Sequence, residues 1–336
     1  MDIRDHHILK DNARQALGQA RFDPQKLVLI HVAVSSGILL VQMLLSYYLD
    51  LSIGNTGGLS GMGLRSILTT VQTVLESLVS TLLPFWDIGL VALSLAISRR
   101  ETIGYGTLFA GFRNFGPVLS FNLTRSLLIM GLAVACFYPT LMVYLMTPLA
   151  EPLMEILLPV VESAQAAGAT QIELDQATMD AVMDSLTPML IIFLVLFLAI
   201  YFPISYRFRM ASPALLEEPR KGAFHAIRKS LRLTKGNCMS LFRLDLSFWW
   251  YYAAELVLLV IAFGGTILAF LGIPLPMSAE GAYFLFYGLS LLAKVGLYYA
   301  VKNQVAVTYA MAYQALKAQL PPPAPKQEPP QQPWTY

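Results

Sequence analysis

Six ionisable side chains lie inside apolar runs of this 336-residue chain, and they are its best candidates for chemistry. A charge in hydrocarbon costs several kcal/mol unless it is paired or hydrated, so such residues often line paths for ions or polar solutes. Alternatively, opposite charges simply neutralise each other and fix the register of neighbouring helices. Two clusters are expected: Glu76 or Glu255 with Lys294, and Asp87 or Asp245 with Arg125. We favour structural pairing, because nothing else in the sequence marks a pathway.

A second candidate is the stretch around Asp245 and Ser247, which follows a Gly236-Asn237 pair. Gly suits the left-handed position after a helix, and Asn suits the N-cap of the next helix. Asp245 can accept hydrogen bonds from a nearby arginine or from the preceding turn. The favoured interpretation is a structural lock between a basic helix and the span that follows it.

Motifs for enzymatic chemistry are absent from the sequence. There is no G-x-S-x-G, no phosphate-binding G-x-x-x-x-G-K and no H-E-x-x-H. Cys136 and Cys238 are far apart, and no Cys or His cluster has metal-ligand spacing. We therefore expect no catalytic site, no metal and no cofactor.

The composition indicates a membrane-embedded helical bundle. Hydrophobic residues are 56% of the chain and charged residues 13%, whereas soluble domains carry roughly 25% charged residues. A soluble fold of this length would need more polar surface to cover its core.

The charges are segregated along the chain, and this segregation predicts its orientation. No lysine or arginine lies between Arg125 and Arg207, while seven acidic residues occur from Glu151 to Asp184. Nine basic residues then fall between Arg207 and Arg243. Because basic loops are retained in the cytoplasm, both termini are predicted inside and the acidic segment outside. Topology also accounts for the basic residues without a nucleic-acid partner.

The elements that position these residues form an all-α, polytopic membrane fold with about six transmembrane helices and amphipathic interfacial helices. The fourth span is predicted at about 188–206 and the fifth at about 239–271. The organisation is an amphipathic cytoplasmic helix in 1–26, a six-helix membrane domain at 27–318 and a disordered Pro/Gln-rich tail at 319–336. Within the membrane domain, 150–187 is an outer amphipathic segment that contains two short surface helices, and 207–238 carries a basic cytoplasmic helix.

The basic helix, from about Arg220 to Lys235, is expected to contact anionic lipid. Each lysine or arginine near a membrane surface contributes about 1 kcal/mol to such binding. Its apolar face is predicted to be Ala223, Phe224, Ile227 and Leu231. The candidate headgroup contacts are Arg220, Lys221, Arg228, Lys229, Arg232 and Lys235.

Several motifs resemble a known family. These are Tyr206-Arg-Phe-Arg-Met-Ala, Glu218-Pro219, Lys235-Gly236-Asn237 and the run from Leu241 to Trp249. Together they are similar to bacterial integral membrane proteins of the domain of unknown function (DUF) 975 family. The chain departs from the family pattern at Phe202-Pro203-Ile204-Ser205 and in its long acidic segment. The resemblance implies a bacterial plasma membrane location and no particular activity.

Two functions are consistent with these features. The favoured one is a non-catalytic accessory or scaffold protein that contacts anionic lipid or a membrane protein partner. The alternative is a transporter or permease-like protein that uses the intramembrane charges for an ion or small polar solute. We favour the scaffold, because the spans show no clear inverted repeat and no matched pair of broken helices.

Overall fold

The computed structural model describes residues 5–54, 59–166, 175–271, 273 and 279–320. Nearly all of these residues are helical and none of them forms a strand, which confirms the all-α prediction. The predicted disordered tail lies outside the described residues beyond Leu320, and so does the middle of the predicted outer segment, residues 167–174.

The described part of the chain contains fifteen α-helices: α1 His6–Gly18, α2 Pro24–Gly54, α3 Leu59–Ser98, α4 Tyr105–Leu108, α5 Ala110–Arg113, α6 Phe115–Met146, α7 Glu151–Ala166, α8 Gln176–Phe208, α9 Ala211–Glu217, α10 Gly222–Thr234, α11 Cys238–Leu246, α12 Trp249–Ala262, α13 Gly264–Phe270, α14 Ala279–Leu297 and α15 Asn303–Ala318. Short 3₁₀ turns occur at Pro148–Ala150 and Pro219–Lys221. A π-helical turn, Tyr298–Lys302, joins α14 to α15.

Among the described residues, five helical stretches are long and apolar enough to cross a membrane: Pro24–Tyr48, Ser66–Ser98, Phe115–Met146, Ala177–Glu217 and Gly281–Ala318. The pair α11 and α12 makes a sixth if it is counted as one broken span. This agrees with the predicted polytopic fold of about six spans.

The fifth span is broken, although the sequence predicts a continuous helix from about Met239 to Leu271. Helices α11 and α12 meet at an angle of 69°. At the break, the Ser247 hydroxyl donates to the carbonyl of Leu244 at 2.6 Å, and the Phe248 N–H donates to the carbonyl of Asp245 at 2.8 Å. These local bonds replace regular helical bonds and redirect the chain.

The fourth span begins earlier than predicted. Helix α8 starts at Gln176 rather than near Pro188, because the Asp175 carboxylate caps it by accepting the Thr178 N–H at 3.3 Å. The second predicted surface helix is therefore the first part of α8. The Tyr144 hydroxyl of α6 donates to the carbonyl of Ser185 at 3.0 Å, which fastens this extension to the neighbouring span.

The helices pack in two groups. One contains α2, α3, α12, α14 and α15, and the other is the antiparallel hairpin of α6 and α8. Helices α9 and α10 join the groups at one end, where the Ser230 hydroxyl of α10 donates to the carbonyl of Arg207 at 2.6 Å. Many of the core residues lie at this end, including Met210, Leu215 and Ala226.

Two glycines allow α3 to approach α4 and α5 closely. A Cβ atom added at Gly89 would lie 1.9 Å from the carbonyl oxygen of Leu108, and one added at Gly111 would lie 2.0 Å from that of Phe85. Only a residue without a side chain fits at these two points.

Candidate functional site

A cavity of 680 Å³ lies within the first helix group and is lined by charged side chains. Its size falls within the roughly 300–1,000 Å³ usual for small-molecule sites. Asp87 reaches it from α3 and Arg209 from the junction of α8 and α9. Glu255 comes from α12, Lys294 from α14 and Lys302 from the π turn. We call this space the polar cavity.

Irregular helix geometry brings several of these groups together. The break before α12 places Tyr251, Tyr252 and Glu255 along one wall. The π turn supplies Tyr298 and Lys302 next to this wall, where Lys302 Nζ lies 3.3 Å from the Tyr251 hydroxyl. π-Helical turns are frequent at functional sites, and broken helices are common around the binding sites of transporters.

The two acids of the polar cavity are bound to neutral or weakly basic partners. The Tyr251 hydroxyl donates to Glu255 Oε1 at 2.5 Å. His31 Nε2 lies 3.4 Å from Asp87 Oδ1, and the buried imidazole stacks on Trp86 at a centroid distance of 5.3 Å. Neither acid pairs with a lysine or arginine among the described residues.

The two lysines of the polar cavity also lack a carboxylate partner within the described residues. Lys302 Nζ donates to the Tyr251 hydroxyl at 3.3 Å and lies 4.5 Å from the centroid of the Tyr298 ring. Lys294 Nζ lies 5.3 Å from the same centroid. Such cation–π contacts stabilise an ammonium by about 0.5–2 kcal/mol. The cavity therefore holds positive and negative groups that aromatic side chains keep apart.

Asp245 lies beside this cavity and is held by three side chains. Its Oδ2 accepts a hydrogen bond from the Tyr206 hydroxyl at 2.7 Å and also pairs with Arg209. Its Oδ1 accepts the Tyr252 hydroxyl at 2.9 Å. Arg209 in turn stacks over the Tyr309 ring at 4.1 Å. Asp245 thus joins the end of α8 to α11 and α12, and none of these three partners belongs to the basic helix to which the sequence predicted a lock.

The predicted pairs of Arg125 and Glu76 are wrong. Arg125 pairs with neither Asp87 nor Asp245 and lines a different cavity. Glu76 lies outside the polar cavity lining and accepts hydrogen bonds from Ser46 at 3.3 Å and Gln72 at 3.2 Å.

Glu255 and Lys294 do share the polar cavity, but no ion pair joins them. The sequence gives depth along each helix but not rotation about its axis, and the rotation decides which side chains meet. Arg209, the true partner of Asp245, was missed for this reason.

The predicted motif around Gly236 is partly as expected. Gly236 has φ of +79° and so ends α10 in the left-handed region. Asn237 precedes α11 but its side chain makes no capping bond. The carbonyl of Ser247 accepts a hydrogen bond from Lys10 Nζ at 2.6 Å, which attaches α1 to the helix break.

Helix α10 exposes most of its predicted lipid contacts. Its buried face consists of Ala223, Ala226, Ile227, Ser230, Leu233 and Thr234. Of the four residues of the predicted apolar face, Ala223 and Ile227 are buried, whereas Phe224 is 71% exposed and Leu231 is 36% exposed. The exposed basic residues are Arg220, Lys221, Arg228, Arg232 and Lys235.

Lys229 forms ion pairs within a charged cluster that the sequence did not predict. Its side chain is 13% exposed, and its ammonium lies 3.0 Å from Glu217 and 2.8 Å from Glu218. Burial lowers the pKa of Lys229, but the hydrogen bonds to Glu218 and Glu217 outweigh burial and raise the pKa above its ordinary value. Hydrogen bonds from Lys221 and Lys229 lower the pKa of Glu218 to about 2. Lys229 is therefore a poor candidate for a lipid contact.

Three helices converge on Glu217 of α9, the centre of this cluster. Its carboxylate accepts hydrogen bonds from Arg99 at the end of α3, from Lys229 of α10, and from Tyr313 and Lys317 of α15. The side chain of Glu217 is only 7% exposed. A pair of adjacent acids before a proline gave no indication of this role.

Among the described residues, no group of three His, Cys, Asp or Glu side chains could hold a metal ion. The fold is that of an all-α, polytopic protein, and the described part of the chain holds five or six helices long and apolar enough to span a membrane. A family model described as "Protein of unknown function (DUF975)" matches residues 4–318. The chain belongs to this family. The comparisons with curated proteins and with solved structures found no match.

Proposed function

We propose that the chain is a multi-pass protein of the bacterial plasma membrane with both termini in the cytoplasm. Because α6 and α8 are antiparallel, the acidic helix α7 and the basic helix α10 lie at opposite ends of this hairpin. Helices α6 and α8 have 32 and 33 residues, so each separates the two ends of the hairpin by about 48 Å at about 1.5 Å per residue. The positive-inside rule then assigns α10 to the cytoplasm.

Cysteine labelling tests this sidedness. Glu155→Cys in α7 and Lys235→Cys after α10 place thiols at exposed positions, on a Cys238→Ser background. An impermeant maleimide applied to intact cells is expected to label position 155, and position 235 only after lysis. The reverse pattern would overturn the orientation.

We further propose that the protein binds a small zwitterionic solute in the polar cavity and moves it across the membrane, without catalysing a reaction. The observation that carries this proposal is the pair of lysines without carboxylate partners facing two acids without strong cationic partners. Charges within the spans that only stabilise the fold are expected to pair directly, as Arg209 and Asp245 do.

The lining suggests how such a solute is oriented. Lys294 and Lys302 are placed to bind a carboxylate, and Glu255 with Asp87 is placed to bind an ammonium group. The tyrosine hydroxyls supply further donors and acceptors. The broken α11–α12 pair offers a point about which the wall could move, as in transporters with discontinuous helices.

A binding experiment followed by uptake tests the solute proposal. Detergent-purified protein is screened for thermal stabilisation by a panel of zwitterionic amino acids, and stabilising members are then measured for uptake into proteoliposomes. Lys294→Gln and Lys302→Gln should each weaken binding roughly tenfold or more, since a hydrogen bond to a charged group contributes about 1.5–3 kcal/mol.

Lys26→Gln is the matched control, because this exposed lysine pairs loosely with Asp23 at 3.9 Å, away from the cavity. Its affinity and uptake should equal those of the wild type. The proposal is wrong if no member of the panel stabilises the wild type, or if the cavity variants bind as the control does.

A scaffold that contacts anionic lipid is the second candidate, and the exposed face of α10 favours it. Phe224, Arg228, Leu231, Arg232 and Lys235 combine apolar and basic groups on that face. Such helices bind anionic membrane surfaces. Mass spectrometry of the protein purified in mild detergent distinguishes the candidates. A membrane protein partner that co-purifies in stoichiometric amount supports the scaffold, and a preparation without such a partner counts against it.

A further inference from the structure

A second cavity, of 500 Å³, lies between α6 and α8 at the end of the hairpin where α10 packs. Arg125 reaches it from α6, while Arg207 and Arg209 reach it from the end of α8. None of its lining residues in the described chain is acidic. We call it the arginine cavity.

Two of the three arginines have no anionic partner among the described residues. Arg209 is neutralised by Asp245. Arg125 and Arg207 are both exposed, and neither forms an ion pair with a described residue. The backbone of Arg207 is nevertheless fixed, because its carbonyl accepts the Ser230 hydroxyl of α10. A planar guanidinium binds phosphate through two parallel hydrogen bonds, so the pair is suited to a phosphate group.

The remainder of the lining is apolar and extends along the spans. Leu128, Ile129 and Leu132 contribute from α6, and Ile204 contributes from α8. Leu231 closes the cavity from α10, whose exposed face also carries Arg228 and Arg232. A ligand that matches both parts has an anionic head and an apolar tail.

We propose that the arginine cavity binds one anionic phospholipid, with its phosphate between Arg125 and Arg207 and its acyl chains along α6 and α8. A free phosphate ion would match the arginines but leave the apolar wall unused. The proposal requires that the protein is embedded in a membrane, but not that the polar cavity moves a solute. A failure of solute uptake therefore leaves it intact.

Binding of phosphatidylglycerol to the full chain in neutral detergent micelles tests this site, with phosphatidylcholine as the neutral reference lipid. The double variant Arg125→Gln/Arg207→Gln should bind phosphatidylglycerol roughly 30-fold more weakly, since each basic residue contributes about 1 kcal/mol. Arg100→Gln/Arg113→Gln is the matched control, because it removes the same charge at exposed positions outside the cavity. Its affinity should fall by less than about threefold if the cavity holds the phosphate.

Three results would overturn the proposal. Equal losses in the two double variants would show that binding follows total charge and not the cavity. Displacement of phosphatidylglycerol by excess inorganic phosphate at similar affinity would make the ligand a free anion. The third result comes from Arg125→Lys, which also serves if the double variant does not fold. This variant keeps the charge but loses the bidentate geometry, so it should bind with intermediate affinity. Wild-type affinity in that variant would also exclude the site.

Discussion

Replacing Glu217 with glutamine should destabilise the protein, because this one carboxylate connects several helices at this end of the bundle. The substitution keeps the side-chain volume and removes only the charge. Glu217 accepts hydrogen bonds from Lys229 at 3.0 Å, Lys317 at 2.9 Å and Tyr313 at 2.6 Å, and it also pairs with Arg99. These four partners come from α3, α10 and α15, so the carboxylate of α9 is shared by three other helices.

The magnitude follows from how far each partner is buried. Tyr313 is fully buried and the Lys229 side chain is 13% exposed, so each of these charged hydrogen bonds contributes about 1.5–3 kcal/mol. Arg99 and Lys317 are 31% and 48% exposed, and solvent reduces each of their contributions to about 0–1 kcal/mol. The neutral amide of glutamine can still accept these hydrogen bonds, but each of them keeps only roughly half of its strength. The expected loss in the free energy of unfolding is therefore about 2–4 kcal/mol.

Reversible unfolding in mixed detergent micelles, titrated with sodium dodecyl sulfate, measures this loss directly. Glu101→Gln is the matched control, since Glu101 is 57% exposed and lies 3.9 Å from the same Arg99. The control should change the free energy of unfolding by less than about 0.5 kcal/mol. If Glu217→Gln and Glu101→Gln have equal effects, the carboxylate of Glu217 is not the connection between these helices.

Two other predictions address packing and pH. Gly89→Ala should lower the melting temperature strongly, because the added Cβ would lie 1.9 Å from the carbonyl oxygen of Leu108. Gly116→Ala is the control. A Cβ added there would have no atom within 4 Å, so the melting temperature should stay nearly unchanged. Similar melting temperatures for the two variants would contradict the close helix approach. Glu218 has a pKa of about 2 in the folded protein against an ordinary 4.5, so its contribution to stability is complete above about pH 4.5 and is lost as the pH falls toward 2. Glu218→Gln should therefore flatten the decline of unfolding free energy over that range, and an unchanged decline would exclude this linkage.

Hydropathy was sufficient to predict the fold class and nearly all of the spans, because long apolar helices can be recognised from composition alone. It could not predict the break between α11 and α12, since the bonds of Ser247 and Phe248 that redirect the chain depend on local geometry. It also placed the start of α8 too late, because Pro188 suggested a boundary and the capping residue Asp175 lies outside the apolar run.

The candidate residues were found more readily than their partners. Asp87, Glu255 and Lys294 were selected because charges in apolar runs are costly, and all three line the polar cavity. Lys302 was missed because it lies at the end of the last span, where a cation is expected to reach the membrane surface. The π turn that brings Lys302 into the cavity has no recognisable sequence pattern in this chain.

Arg209 connects the two cavities, because it and Ser212 line both of them. With Asp245 bound to Arg209, the cations Arg209, Lys294 and Lys302 balance the acids Asp87, Glu255 and Asp245. The polar cavity is then neutral as a whole, which suits a zwitterion. The arginine cavity keeps two unneutralised guanidinium groups, which suits an anion. Through its pairing with Arg209, Asp245 therefore sets the charge of both cavities at once. This role gives a reason for a buried carboxylate held by three side chains at the junction of α8, α11 and α12.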